Sequence, residues 1–235
     1  MTPTLPIFGS LRRLARLGGA MYLVTIVAGL FRELYVKGQL VVPGDLASTA
    51  TRLHQFESLW RAGIAAELVM VACGVVLMWV LYALLRPTDP GLALLMTFFG
   101  LVALAIEGAA AVLLIQAVLA INAASLQTLS PEVKQGLMGL ALRSHEYGFG
   151  MALLMFGPFF LIAGRLIWKS GLFPKTVGAL YQVAGIGYVV HSVAMLLAPA
   201  AAGLVFMVVA LPIFVGESMF CLWLLFKTFD EGGQL

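Results

Sequence analysis

The chain has 235 residues, 62% of them apolar and 11% charged, against roughly 45–50% and 25% in a water-soluble domain. Together with a mean hydropathy of +1.03, those proportions exclude a soluble globular fold. The net charge of +3 does not point to nucleic acid, because the basic residues are scattered at helix ends and form no patch or stripe.

A span of about 20 residues crosses a hydrocarbon core of roughly 30 Å, and six such spans follow one another here. The first, 17–35, comes after Arg12, Arg13 and Arg16. It has the flanks of a signal peptide but no small-x-small cleavage site follows, so it reads as a retained helix running through Arg32 and Glu33. The second, 60–85, is closed by Arg86 and by Pro87-Thr88-Asp89-Pro90, whose prolines cannot continue a helix. The third covers 91–121. Ser130-Pro131-Glu132 is a helix-start signal ahead of the fourth, 137–168, which is long enough to tilt or to begin outside the bilayer. The fifth, 176–197, stops before Pro199, and the sixth, 203–226, carries Pro212 as a candidate kink. The expected fold is all-α: a polytopic membrane helical bundle of six transmembrane helices, one domain over 1–235.

If the helices alternate in direction, the N-terminal arginines, Arg86, Arg165, Lys169, Lys175 and Lys227 fall on one side. The positive-inside rule then makes both termini cytoplasmic. On the other side, segment 36–59 holds Pro43-Gly44-Asp45 ahead of apolar Leu46, Ala50 and Leu53. That pattern predicts a short amphipathic outer helix behind an Asp cap. Gly19-Ala20-Met21-Tyr22-Leu23-Val24 shares four of six residues with Gly178-Ala179-Leu180-Tyr181-Gln182-Val183, a similarity that shared composition or a duplicated hairpin would both produce. Cys73 and Cys221 lie within apolar runs, the setting of free buried thiols and not of a disulfide framework.

Charged side chains at bilayer depth cost roughly 2.5–3.5 kcal/mol on insertion scales, so each needs a partner, a cavity or a function. Measured by helical rise, Glu67 and His145 each lie about 10 Å below the outer ends of their spans. Glu107 and His191 sit roughly 24 and 21 Å above the inner ends of theirs. Glu146 reaches the same outer-half level, with Arg32, Glu33, Arg61 and Arg143 just above it. Glu217 lies deeper, where Ser218 or a tyrosine could pair with it, and Tyr147 and Tyr188 are further hydrogen-bonding groups. The candidate pocket is therefore Glu67, Glu107, His145, Glu146 and His191, supported by Arg32, Glu33, Arg61, Arg143, Tyr147, Tyr188 and Glu217. Gly148 and Gly150, just after His145, would let another helix approach closely. Trp60, Trp168 and Trp223 fit an interfacial aromatic belt as well as any ligand role.

Three chemistries suit two histidines and three carboxylates at one depth. Imidazole and carboxylate together suit zinc, iron or manganese, although no His-Glu-x-x-His or Glu-x-x-His spacing is present. Alternating acid and imidazole groups also suit a proton or ion path. His145 and His191 could be axial ligands of a haem, against which the crowded carboxylates argue. The fourth alternative is a structural network in which the arginines neutralise the carboxylates.

Several blocks resemble a bacterial integral membrane family catalogued only as domain of unknown function 4386. They are Gly19-Ala20-Met21-Tyr22-Leu23-Val24-Thr25-Ile26-Val27-Ala28-Gly29, Val42-Pro43-Gly44-Asp45, Glu57-Ser58-Leu59-Trp60-Arg61-Ala62-Gly63-Ile64, His145-Glu146-Tyr147-Gly148-Phe149-Gly150 and Gly216-Glu217. The resemblance covers nearly the whole chain. It implies a multi-pass protein of the bacterial inner membrane with about six helices, and it singles out Glu57, Arg61, His145, Tyr147 and Glu217. It implies no activity.

The sequence thus leads to an integral membrane protein, with the lipid bilayer and no nucleic acid as partner, that binds a metal ion or small polar ligand in an outer-half pocket. Proton-coupled transport and a purely structural charge network are the alternatives. An enzyme reading would make a bound metal the Lewis acid and a carboxylate the general base. Small residues on several helices serve packing within a chain and between chains alike, so both monomer and oligomer fit.

Overall fold

A computed structural model describes residues 11–226; the polar stretch 1–10 and Lys227 lie outside the described residues. The described residues are almost entirely helical. Helix α1 (Leu11–Leu30) continues without a break through a π-helical segment (Phe31–Lys37) into the short turn α2 (Gly38–Leu40). A surface helix, α3 (Leu46–Gln55), precedes five long helices: α4 (Glu57–Leu85), α5 (Pro90–Asn122), α6 (Pro131–Ser170), α7 (Lys175–Leu197) and α8 (Pro199–Phe226). Counting 11–40 as one, six helices among the described residues are long and apolar enough to cross a membrane.

Each helix extends past the apolar run that announces it; α6 begins six residues before 137, and the first, taken as 11–40, begins six before 17 and ends five beyond 35. The backbone ladder needs no apolar side chains, so a helix runs on into polar surroundings until a cap or proline stops it. The caps are those the sequence offers. Asp89 accepts a hydrogen bond from the Leu92 amide at 3.0 Å, ahead of Pro90. Ser130 stands before Pro131, and Gly171 ends α6 with a left-handed φ of 65°. Asp45 Oδ1 accepts from the Ser48 amide at 2.9 Å, which confirms the short amphipathic helix.

The long helices pack in chain order, α1 on α4, α4 on α5, α5 on α6, α6 on α7 and α7 on α8, and α8 returns to α1 to close the ring. Apolar lipid supplies no hydrophobic drive between such helices, so close packing has to hold them together. Between antiparallel α6 and α7 the backbones touch through glycines. A Cβ added to Gly164 would stand 2.5 Å from the Gly178 carbonyl, and one on Gly185 would stand 2.8 Å from the Gly157 carbonyl. Within the ring, Tyr22, Phe160, Tyr181 and Phe220 form an aromatic centre, with Tyr181 and Phe220 fully buried. Outside it, Leu197, Met207, Leu211 and Phe226 are each at least 69% exposed, the surface a lipid-facing belt presents.

Helix α3 lies across one end of the bundle against α4, α5 and α6, burying Thr49, Ala50 and Leu53. Thr49 ties it down, since its hydroxyl accepts from the Val42 amide at 3.0 Å and donates to the Asp45 carbonyl at 2.8 Å. Beneath it Val36, Leu40, Leu53, Trp60, Leu114 and Met138 form a second apolar cluster. That cluster is the roof of the candidate site.

Candidate functional site

The site begins with the π-helical segment. A π turn takes in an extra residue and rotates the side chains that follow, and here Arg32 and Val36 both turn inward while Leu34 and Tyr35 stay exposed. Gly63 of α4 makes the close approach available, because a Cβ there would stand 2.9 Å from Val36 Cγ1. Arg32 is thereby 9% exposed in the bundle wall.

Its guanidinium faces two carboxylates. Nη1 lies 3.4 Å from Oε2 of Glu67, which is fully buried, and Nη2 lies 3.5 Å from Oε2 of Glu33. The other oxygen of Glu67 accepts from Nε2 of His145 at 3.1 Å. Phe149, one turn beyond His145 on α6, stacks on the imidazole and takes the Arg32 guanidinium over its face at 5.3 Å, a cation–π contact. Arg32 Nε is buried with no partner among the described residues, an orphaned donor of the kind that marks a functional or water-filled position.

Beside this group is a cavity of about 40 Å³; by that measure a single water needs roughly 10–15 Å³, so it holds a few waters or a small polar group. Arg32, Lys37, His145 and Glu146 give it a polar side, and Val36, Ile64, Leu114 and Leu142 an apolar one. At its rim Lys37 bridges Glu33 at 2.8 Å and Glu146 at 3.7 Å. Trp60 also lines it, 4% exposed and donating its indole N–H to the Leu114 carbonyl at 2.9 Å. Trp60 is therefore a wall of the cavity and not a belt residue.

Of the expected pocket residues, Glu67, His145 and Glu146 come together here. Glu107, 4% exposed, lies within electrostatic reach of Glu67, Arg32 and Glu217 but has neither a hydrogen bond nor an ion pair among the described residues. His191 does not line the cavity; it packs against Phe206 of α8, with Nδ1 buried and without a hydrogen-bond partner among the described residues. Glu217 is deeper, accepting from the Tyr188 hydroxyl at 2.7 Å. Arg61 is exposed and bonds Glu57 at 2.6 Å, and Arg143 and Tyr147 are exposed on α6. Glu57 also accepts from Asn122 Nδ2 at 2.5 Å, and Asn122 Oδ1 accepts from His54 at 2.6 Å. That second network pins α3 to α4 and α5.

Sequence reasoning missed Lys37, Phe149 and the π-helical geometry. Glu33 and Lys37 stand at i and i+4, the spacing of a helical ion pair, which could have shown the first. Gly148 and Gly150 make the close contacts foreseen for them, with Ala110 of α5 and Met195 of α7 respectively.

The expectation of a metal finds no support in these contacts. Among the described residues no three His, Cys, Asp or Glu gather as a metal would require. Both oxygens of Glu67 are already engaged, one by a guanidinium that would repel a cation. The two cysteines are free, as expected.

No curated protein and no solved structure matches the chain. The family described as "Domain of unknown function (DUF4386)" matches residues 17–228, a stretch that includes every cavity residue and, but for 11–16 of the first, all six apolar helices of the described residues. The ring of membrane-crossing helices and its buried Arg32–Glu67–His145 group therefore belong to a member of the DUF4386 family.

Proposed function

We propose that this protein binds a small polar ligand carrying a hydrogen-bond acceptor, of the carboxylate class, in the cavity between the π-helical segment, α4, α5 and α6. The observation that carries this reading is the buried Arg32 Nε–H, a strong donor left without a partner beside the cavity. A guanidinium presents its donors as a planar fork that suits a carboxylate, and Lys37 adds a second cation at the rim. The apolar side accommodates the ligand's carbon skeleton. Glu67 and His145 hold Arg32 in place from behind.

In the bacterial inner membrane, with both termini cytoplasmic, this cavity opens toward the periplasmic face beneath α3. The basic residues between α4 and α5 and between α6 and α7 support that orientation. The same ion pairs support a second reading, a structural network that only fastens helices together.

Calorimetric titration of the full chain in detergent with acetate and butyrate, beside the matching primary alcohols and amines, separates the two. Saturable binding of the carboxylates, lost in Arg32→Lys where the charge stays and the fork goes, is the expected result. Absence of carboxylate binding, or binding indifferent to Arg32→Lys, leaves the structural network.

A further inference from the structure

The site uses Arg32, Glu67 and His145 and leaves two further carboxyls over within the bundle. Glu107 on α5 has no hydrogen bond or ion pair among the described residues, and Glu217 on α8 has one partner, the Tyr188 hydroxyl at 2.7 Å. The ionisable groups around Glu107 are Glu67 of α4, Arg32 of the π-helical segment, Tyr188 of α7 and Glu217 of α8. Those around Glu217 are Tyr22 of α1, Tyr181 and Tyr188 of α7, and Glu107. Arg32 is the one cation in either set, and it already faces Glu67 and Glu33.

An ionised carboxylate inside a membrane bundle needs a counter-charge. For Glu217 the described residues provide none, and the one cation near Glu107, Arg32, already faces Glu67 and Glu33, which leaves a proton. We infer that Glu107 and Glu217 form an internal proton-exchange pair, continuing inward from the buried Glu67–His145 contact to the Tyr188 hydroxyl.

Measured by helical rise, Glu107 is about 22 Å from the α3 end of α5 and Glu217 about 27 Å from the same end of α8. Each therefore lies well inside its own helix. In each step an O–H bond of one carboxyl breaks as an O–H bond forms on a water, and the carboxylate left behind takes a proton from another water or from the second carboxyl, which is reprotonated by water in turn. Nothing is oxidised or reduced. The inference stands independently of the ligand reading, since it uses neither Arg32 Nε nor the cavity's apolar wall.

Infrared spectroscopy of the full chain in lipid tests it through the C=O stretch of protonated carboxyl groups. At neutral pH a protonated-carboxyl band is expected that shifts when the film is transferred to D₂O. Glu107→Gln and Glu217→Gln should each remove one component, and the double variant both. Tyr188→Phe should leave the Glu217 component in place but move its frequency, which gives a readout even if a Gln variant fails to fold. Absence of the band, a band that does not exchange with D₂O, or components unmoved by all these substitutions overturns the inference.

Discussion

Tyr181 of α7 donates a 2.9 Å hydrogen bond to the hydroxyl of Tyr22 of α1. The two occupy the same position in the similar segments Gly19–Val24 and Gly178–Val183. Both of their helices flank α8, and Phe220 of α8 packs edge-on against both rings, with centroids 6.3 Å and 4.9 Å away. The glycine opening each segment makes a close approach, Gly19 to Leu225 and Gly178 to the Gly164 carbonyl. The repeated pattern thus corresponds to a repeated packing role: a glycine admits a neighbouring helix, and a tyrosine one turn later reaches the bundle centre.

A double-mutant cycle reads the strength of that bond. Tyr181→Phe leaves the buried Tyr22 hydroxyl without its donor and should cost about 1–3 kcal/mol, whereas Tyr22→Phe/Tyr181→Phe replaces both partners and should recover most of the loss. Reversible unfolding in mixed micelles checks this. Additive single effects would show that the two hydroxyls act separately.

The Arg32–Glu67 pair predicts a larger coupling. Glu67→Gln strands a buried guanidinium, and breaking a buried pair from one side costs about 3–5 kcal/mol. Arg32→Met/Glu67→Gln removes both charges and should unfold at a temperature near that of the wild type. If Glu67→Gln alone proves as stable as the wild type, Glu33 suffices as the counter-ion of Arg32.

The six spans were legible because a bilayer imposes one length and one composition on every helix that crosses it. The Asp45 cap and amphipathic α3 were legible for a similarly local reason. Helical rise also placed Glu67 and His145 at one depth, and they meet at 3.1 Å. Depth alone does not give rotation about the helix axis, and this is why His191, at a similar depth, faces Phe206. The π turn shifts the phase of every side chain after Leu30, and no residue type in Phe31–Lys37 announces it. Arg32, counted as a supporting residue, is for that reason the centre of the site.

Two glycines of one helix should respond oppositely to alanine. At Gly164 the new methyl meets the backbone of α7, with the Gly178 carbonyl at 2.5 Å and the Gln182 nitrogen at 3.0 Å, and backbone cannot rotate aside. Gly164→Ala should destabilise by about 1–3 kcal/mol, as overpacking does. Gly136 has nothing within 4 Å of its Cβ position and is exposed on α6, so Gly136→Ala should stabilise by about 0.5–1 kcal/mol through helix propensity. Thermal unfolding of the two variants side by side checks both signs.

The anchorage of α3 should depend on pH through Asp45. Hydrogen bonds from the Ser48 hydroxyl and amide hold the Asp45 carboxyl below its usual range. A carboxylate depressed in the folded state contributes stability that is fully present above its unfolded pKa of about 3.9 and is lost as pH falls through the lower folded value. Acidification through that window should therefore release the first turn of α3 before the transmembrane helices respond. Asp45→Asn keeps a capping oxygen without a titrating proton and should make the α3 amides insensitive to the same change. Asp45→Ala should leave them unprotected at every pH. Hydrogen exchange of residues 46–55 at neutral and acidic pH, corrected for intrinsic rates, distinguishes the three proteins; equal acid response in wild type and Asp45→Asn would assign the acid sensitivity to the His54–Asn122–Glu57 network instead.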